Sequence, residues 1–248
     1  MTRFAGLVYG AICYLLFLVA FLYAIGFVGN FLVPKSIDSG ISEPLGSALL
    51  VNALLLGLFA VQHSIMARPW FKRFWTKIVP GQLERSTFVL LASLILLLLY
   101  WQWRPIADPV WEISNNIGAA AVWALFCLGW IIVLISTFLI DHWHLFGLRQ
   151  VMNYLKQREE SSAEFTTRGL YRFLRHPIML GFIIAFWAVP VMSIGHLIFA
   201  VATTGYIIVG ILLEENDLVH VFGTTYMNYR KRVPMLIPGW KSGKSSEQ

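Results

Sequence analysis

Charge is what this chain has least of. Asp, Glu, Lys and Arg make up 13% of its 248 residues, about half the share of a soluble globular domain. That leaves too little charge to clothe a water-facing surface, and argues against a soluble enzyme. Cysteine is scarce too: Cys13 and Cys127 both lie inside apolar runs, which argues against a disulfide framework or a cysteine-based metal site. No internal repeat is visible. The net charge of +6 reads as a signal of membrane orientation, and no nucleic-acid partner is expected. What fills the chain instead is apolar: 58% hydrophobic residues and a mean hydropathy of +0.68.

The apolar residues come in runs of bilayer length. The first, about Phe4 to Val33, is too long for a signal-peptide core and lacks a small-x-small cleavage site, so it is expected to stay as an anchor. Further spans are expected at about Leu45 to Met66, Ser86 to Trp103 and Ile117 to Ile140. Between the second and third, Trp70, Phe71, Phe74 and Trp75 are interleaved with Lys72, Arg73 and Lys77, which predicts an interfacial helix with rings at headgroup level. A polar linker, partly helical, runs from Gly147 to Arg168. The apolar stretch from Ile178 to Leu213 is too long for one span and short for two. Pro190, Ser193 and Gly195 break it, which predicts a tight helical hairpin with arms of about 24 Å each.

The fold class that follows is all-α: a multi-pass membrane helical bundle of four spans plus a C-terminal helical hairpin, ending in a cytoplasmic C-terminal helix. A single domain over 1–248 is expected, with residues 1–140 supplying the four spans and 141–248 the linker, hairpin and tail. Basic residues fix its orientation. Arg68, Lys72, Arg73, Lys77 and Arg85 share one linker, while Arg149, Lys156, Arg158, Arg168, Arg172 and Arg175 share the next. The tail adds Arg230, Lys231, Arg232, Lys241 and Lys244, whereas the two opposite loops hold only Lys35 and Arg104. With both termini in the cytoplasm every basic cluster falls on that side, as in an inner-membrane protein.

Polar chemistry gathers at the two ends of the hairpin. Pro177 disfavours helix at His176 and suits the first helical position. The free amides of that helix start, beside Arg172 and Arg175, make an anion site; taken alone, the same arginines merely obey the charge rule. At the other end Glu214 and Glu215 follow an apolar run, and Leu218, Val221 and Phe222 predict that the helix continues past them with an amphipathic face. Phe222, Tyr226 and Tyr229, followed by Arg230, suit a ligand that joins a cationic centre, an aromatic ring and a carboxylate. An aromatic interfacial belt is the competing reading.

Arg175-His176-Pro177 with Leu180-Gly181, then Glu214-Glu215 with Leu218, and Phe222-Gly223 with Tyr226 and Tyr229 resemble the isoprenylcysteine carboxyl methyltransferase superfamily. The resemblance implies an integral membrane enzyme that uses S-adenosylmethionine, held by Tyr171, Arg175, His176, Pro177, Leu180, Gly181, Glu214, Glu215, Phe222, Tyr226, Tyr229 and Arg230. Met179 departs from the tyrosine of many members. Further segments, among them Gln62-His63-Ser64-Ile65-Met66-Ala67-Arg68-Pro69, Trp101-Gln102-Trp103-Arg104-Pro105 and Phe146-Gly147-Leu148-Arg149-Gln150, resemble the bacterial methanethiol S-methyltransferases of that superfamily. These imply methyl transfer to a small volatile thiol, methanethiol, to give dimethyl sulfide. An alkyl thiol is mostly protonated at neutral pH, so a base or a cation is needed beside it. His142 and His144, with Asp141 as orienter, are the first candidates for the base and His63 the next; a structural role competes for each. His-x-His with so few accompanying ligands supports no metal site.

Three other functions share parts of this pattern. A lipid methyltransferase, acting on an isoprenylcysteine carboxylate or a phospholipid amine, would bind its cofactor through the same motifs. A sterol-type reductase would need a longer multi-span N-terminal half. A pore or carrier would be marked by charges in mid-span, and the first, third and fourth runs hold none. Membrane lipids are the expected surroundings, and oligomeric state is not written in the sequence.

Overall fold

Backbone groups in hydrocarbon must find partners within the protein, and the apolar runs do so as helices. The computed structural model describes residues 2–158, 165 and 167–237; Lys241 and Lys244 lie outside them. α1 (Arg3–Gly29) starts on the Thr2 hydroxyl, which accepts from the Ala5 amide, and ends at Asn30 in the left-handed conformation. α2 (Leu45–Ala67) stops before Pro69, which opens α3 (Pro69–Trp75), a short helix within the basic linker. α4 (Gly81–Gln102) begins before Ser86, where the third run was expected to start, and so takes Arg85 into the helix.

In the loop after α4 lies a short strand, β1 (Pro109–Glu112). α5 (Asn116–Ile140) is capped by Asn115, whose side-chain oxygen accepts from the Gly118 amide at 2.6 Å. Two short helices, α6 (His142–Leu145) and α7 (Leu148–Lys156), turn back over the ends of α1 and α4. Val151 of α7 is fully buried against Gly10 of α1.

The hairpin is not made of two equal arms. α8 (Pro177–Trp187) has 11 residues, about 16 Å, roughly half the hydrocarbon thickness. α9 (Ile194–Phe222) has 29, about 43 Å. The reason lies in Ala188 to Ser193. Pro190 has no N–H to give and disfavours helix at Val189. The chain leaves the helix there and extends as β2 (Val191–Ser193), antiparallel to β1, with Trp111 opposite Met192. The freed backbone groups find partners in the same loop: Ile113 N–H donates to Pro190 O, Ile194 N–H to Asp108 O and Gly195 N–H to Ile106 O, each at 2.9 Å. Non-helical backbone between spans is tolerated when protein satisfies it in this way. The Ser193 hydroxyl then accepts from the His196 amide and starts α9 at once.

α9 carries straight through Glu214 and Glu215, as its apolar spacing required, and ends at Gly223 (φ 54), where the chain turns into α10 (Thr224–Arg232). Among the described residues five helices are long and apolar enough to cross a bilayer: α1, α2, α4, α5 and α9. The protein is an all-α, multi-pass membrane bundle. α8 lies against α5, where small residues let the backbones meet: a Cβ on Gly181 would stand 2.7 Å from Gly129 O. The main core gathers Phe27, Trp103, Phe126, Trp130, Met192 and Phe199 toward the end opposite the basic clusters. A smaller one, Met66, Phe88 and Val89 with Phe17, Trp75 and Phe146, sits near the basic end.

Candidate active site

The turn that precedes α8 brings three polar residues under the far end of α9. A 3-10 turn at Gly169–Arg172 buries Tyr171, and Arg175 and His176, both buried, lie in the bend that leads into α8. Their backbone amides donate to Pro234 O at 3.0 Å and Met235 O at 3.2 Å, so the chain leaving α10 runs alongside them. Pro177 occupies the first position of α8.

Glu215 is the centre of the cluster. Its Oε1 accepts from Arg175 Nε at 2.6 Å and from His176 Nε2 at 3.2 Å, and Arg230 Nε stands 3.4 Å from its Oε2. Arg175 also donates through Nη1 to Arg230 O at 3.0 Å and Val233 O at 2.6 Å. A guanidinium and a carboxylate removed from water are costly unless paired and hydrogen-bonded, and here each is. Arg175 and Glu215 thus lock α8, α9 and α10 together. The neighbouring Glu214 is different: its side chain remains 48% exposed, with Oε2 3.6 Å from His176 Nδ1. The Arg230 side chain is 54% exposed.

Aromatic rings line the cluster. Tyr229 donates its hydroxyl to Tyr171 O at 2.6 Å. Phe165 packs against Phe222, Tyr226 and Tyr229 with centroid distances of 5.3, 5.8 and 5.1 Å. Burial pushes the Tyr229 phenol up to about 12, with Arg175 opposing, and raises Tyr171 and Tyr226 further. All three are neutral at physiological pH. The Tyr226 hydroxyl is buried and has no hydrogen-bond partner among the described residues, which leaves a polar group open toward the cluster's carboxylates and cations. Leu180 is half-buried on α8, one residue from Gly181, whose surroundings are the α5 backbone.

The three base candidates and the orienter Asp141 fall in two places. His142 is buried in α6, with Thr137 Oγ1 2.9 Å from Nδ1 and Tyr14 Oη 2.9 Å from Nε2. The Thr137 hydroxyl gives its own proton to Leu134 O, so Nδ1 must donate to it, and Nε2 accepts from Tyr14. Both nitrogens are committed, and burial lowers the pKa of the ring against the pull of Asp141. Asp141 caps α6 by accepting from the His144 amide at 3.1 Å and pairs with Arg149. His144 is half-buried one turn on. His63 lies elsewhere, on α2, among Phe59, Phe88 and Tyr206, with Nδ1 buried and unpartnered among the described residues.

Three features escaped sequence reasoning. Arg68 pairs with Asp217 at 2.9 Å, Ser64 donates to the Tyr206 hydroxyl at 3.3 Å, and Arg85 donates through Nε to Leu145 O at 2.6 Å. The sequence had assigned neither arginine a partner. A cleft of about 300 Å³ between Arg3, Gln82, Gln150, Asn153 and Arg158 shares no residue with either cluster. Tyr154 supplies its one ring, and no carboxylate lines it.

The sequence has relatives among known proteins. The phospholipid methyltransferase family model matches residues 120–225. Methanethiol S-methyltransferase of Mycobacterium tuberculosis is 54% identical over 238 residues, which cover 96% of this chain and 98% of that protein. Methanethiol S-methyltransferase 2 of Bradyrhizobium diazoefficiens is 56% identical over 96% of this chain and 91% of its own length. Nurim of Mus musculus is 31% identical over 69% of this chain and 68% of its own. No solved structure matches.

Proposed function

The chain belongs to the family of the methanethiol S-methyltransferases, and from that premise we propose that it methylates methanethiol to dimethyl sulfide with S-adenosylmethionine as donor. The observation that carries this reading is the extent of the likeness. It covers 96% of the chain, so it includes the spans beside the C-terminal motifs, and those spans supply the pocket that separates a thiol from a lipid acceptor.

The residues at the end of α9 fit the donor. Glu214 offers an open carboxylate to an amino group, Arg230 an open guanidinium to a carboxylate, and the unpartnered Tyr226 hydroxyl a further hydrogen bond. The faces of Phe222 and Tyr226 suit a flat base and a sulfonium charge. Arg175, His176 and Glu215 fix these groups in place, with Pro177 starting α8 beneath them and Tyr171 and Tyr229 closing the turn. S-adenosylmethionine supplies, when bound, a methyl group made electrophilic by its sulfonium. The protein's share is then to hold the acceptor sulfur in line with that methyl group and to exclude water. Methanethiol is small and apolar and reaches such a site through the bilayer. By the distribution of Lys and Arg we place both termini and the site on the cytoplasmic face of a bacterial inner membrane, in one domain over 1–248.

Headspace analysis of the purified protein tests the reading. With S-adenosylmethionine and methanethiol it is expected to release dimethyl sulfide. A prenylcysteine and phosphatidylethanolamine offered in parallel are expected to stay unmethylated. Methylation of either lipid without dimethyl sulfide would replace the proposed acceptor.

A further inference from the structure

His63 is held in an aromatic box. Its imidazole stacks on Phe59 (centroids 5.2 Å apart), tilts against Phe88 of α4 (4.9 Å) and meets Tyr206 of α9 edge-on (6.4 Å). Nδ1 is buried in that box with no partner among the described residues. A buried polar atom left open in this way calls for a ligand or a catalytic task. The same Phe88 ring carries a cation: the Arg85 guanidinium carbon lies 5.0 Å from its centroid. Arg85 is anchored through Nε to Leu145 O, so the guanidinium and the imidazole share the Phe88 ring. Tyr206 of the box and Glu214 of the cofactor cluster lie eight residues apart on α9, about 12 Å along the helix. The Ser64–Tyr206 hydrogen bond and the Arg68–Asp217 ion pair hold α2 against α9 around the box. His142 offers nothing comparable, because both its nitrogens are committed to Thr137 and Tyr14.

We propose that the box between α2, α4 and α9 receives the sulfur of methanethiol, that His63 Nδ1 takes its proton, and that Arg85 holds the thiolate charge facing the donor. The proposal rests on the methanethiol reading. The substrate's methyl group lies among the rings of Phe59, Phe88 and Tyr206. The S–H bond breaks with its proton passing to Nδ1, and a sulfur electron pair forms the new S–CH3 bond. The electron pair of the donor's C–S bond returns to the donor sulfur, and the proton leaves later to solvent. Other charged and titratable groups face His63 as follows: Arg85 from α4 and Tyr206 from α9. Arg68 and Lys72 lie beyond the end of α2, within reach of Asp217 and Glu84.

Two measurements test it. In the first, 13C-labelled methanethiol is added to cofactor-free protein, and the carbon shift reports S–H against S⁻. Thiolate is expected at neutral pH in the wild type and not in His63→Gln or Arg85→Gln. Because the wild-type arm needs no variant to fold, its showing only bound or free thiol would overturn the proposal. In the second, methyl transfer is followed against pH. His63→Gln is expected to lose about 100-fold at neutral pH, and Arg85→Gln to move the rising limb toward the free thiol's own ionisation, with Arg85→Lys restoring most of the shift. Methaneselenol, which ionises at lower pH than the thiol, is expected to remain a good acceptor for both variants. An equal loss with thiol and selenol, or an unmoved limb, would show a merely structural role and sink the inference. If the wild type forms no dimethyl sulfide at all, the underlying methanethiol reading has failed instead.

Discussion

At the scale of single residues, adjacent carboxylates have different work. Glu215 is buried among Arg175, His176 and Arg230, while Glu214, one residue earlier, keeps half its side chain open. Removing one partner of a buried ion pair costs about 3–5 kcal/mol, because the other charge stays behind unpaired. Arg175→Met is therefore expected to lower the melting temperature in detergent sharply and to abolish binding through loss of the fold around α10. Glu214→Ala together with Tyr226→Phe is expected to leave melting within a degree or two of the wild type and to weaken S-adenosylmethionine binding by about 10-fold or more. Isothermal titration beside a thermal melt separates the two; wild-type affinity in the Glu214–Tyr226 double variant would remove these residues from the cofactor site.

The decisive element is α8, which is too short to cross. It relies on two supports: the β1–β2 pair that receives its unwound end, and the close contact of Gly181 with Gly129 on α5. Since Arg175 and His176 immediately precede α8, the height of that helix sets the height of the cluster. A Cβ at Gly181 would meet Gly129 O at 2.7 Å and Val133 Cγ2 at 2.8 Å, and overpacking of this kind costs about 1–3 kcal/mol. Gly181→Val is expected to destabilise the protein by at least that much and to reduce methyl transfer, whereas Gly57→Ala, with nothing within 4 Å of its Cβ, is expected to be silent. Size-exclusion profiles and dimethyl sulfide release of the two variants provide the comparison.

For the whole molecule, the question is which end faces the cytoplasm. Ser42 and Ser114 are exposed at one end of the bundle, and Thr76 and Gln157 at the other. Single cysteines at these positions, in a background without Cys13 and Cys127, are expected to react with an impermeant maleimide in intact cells only at Ser42 and Ser114. Labelling of Thr76 and Gln157 in intact cells would invert the orientation and put the Glu214–Glu215 cluster on the wrong side for the proposed cytoplasmic donor.

Much of this architecture was legible in the chain itself, because what sets it is local. Apolar length fixes the spans, Pro177 and Pro190 fix where α8 can begin and end, and the apolar spacing beyond Glu215 carries α9 onward. The motifs at both ends of the hairpin likewise announced a cluster. Tertiary structure alone decided how those groups divide their roles. Ser64 meets Tyr206 across 142 residues of sequence, Arg68 meets Asp217 across 149, and Tyr14 meets His142 across 128. No period or propensity encodes such pairings; they follow from how the helices pack. Hence the sequence could rank His142 and His144 first as the thiol's base, while the fold occupies both nitrogens of His142 and leaves Nδ1 of His63 open, because hydrogen bonds at buried sites are assigned by whichever neighbours packing brings within 3 Å.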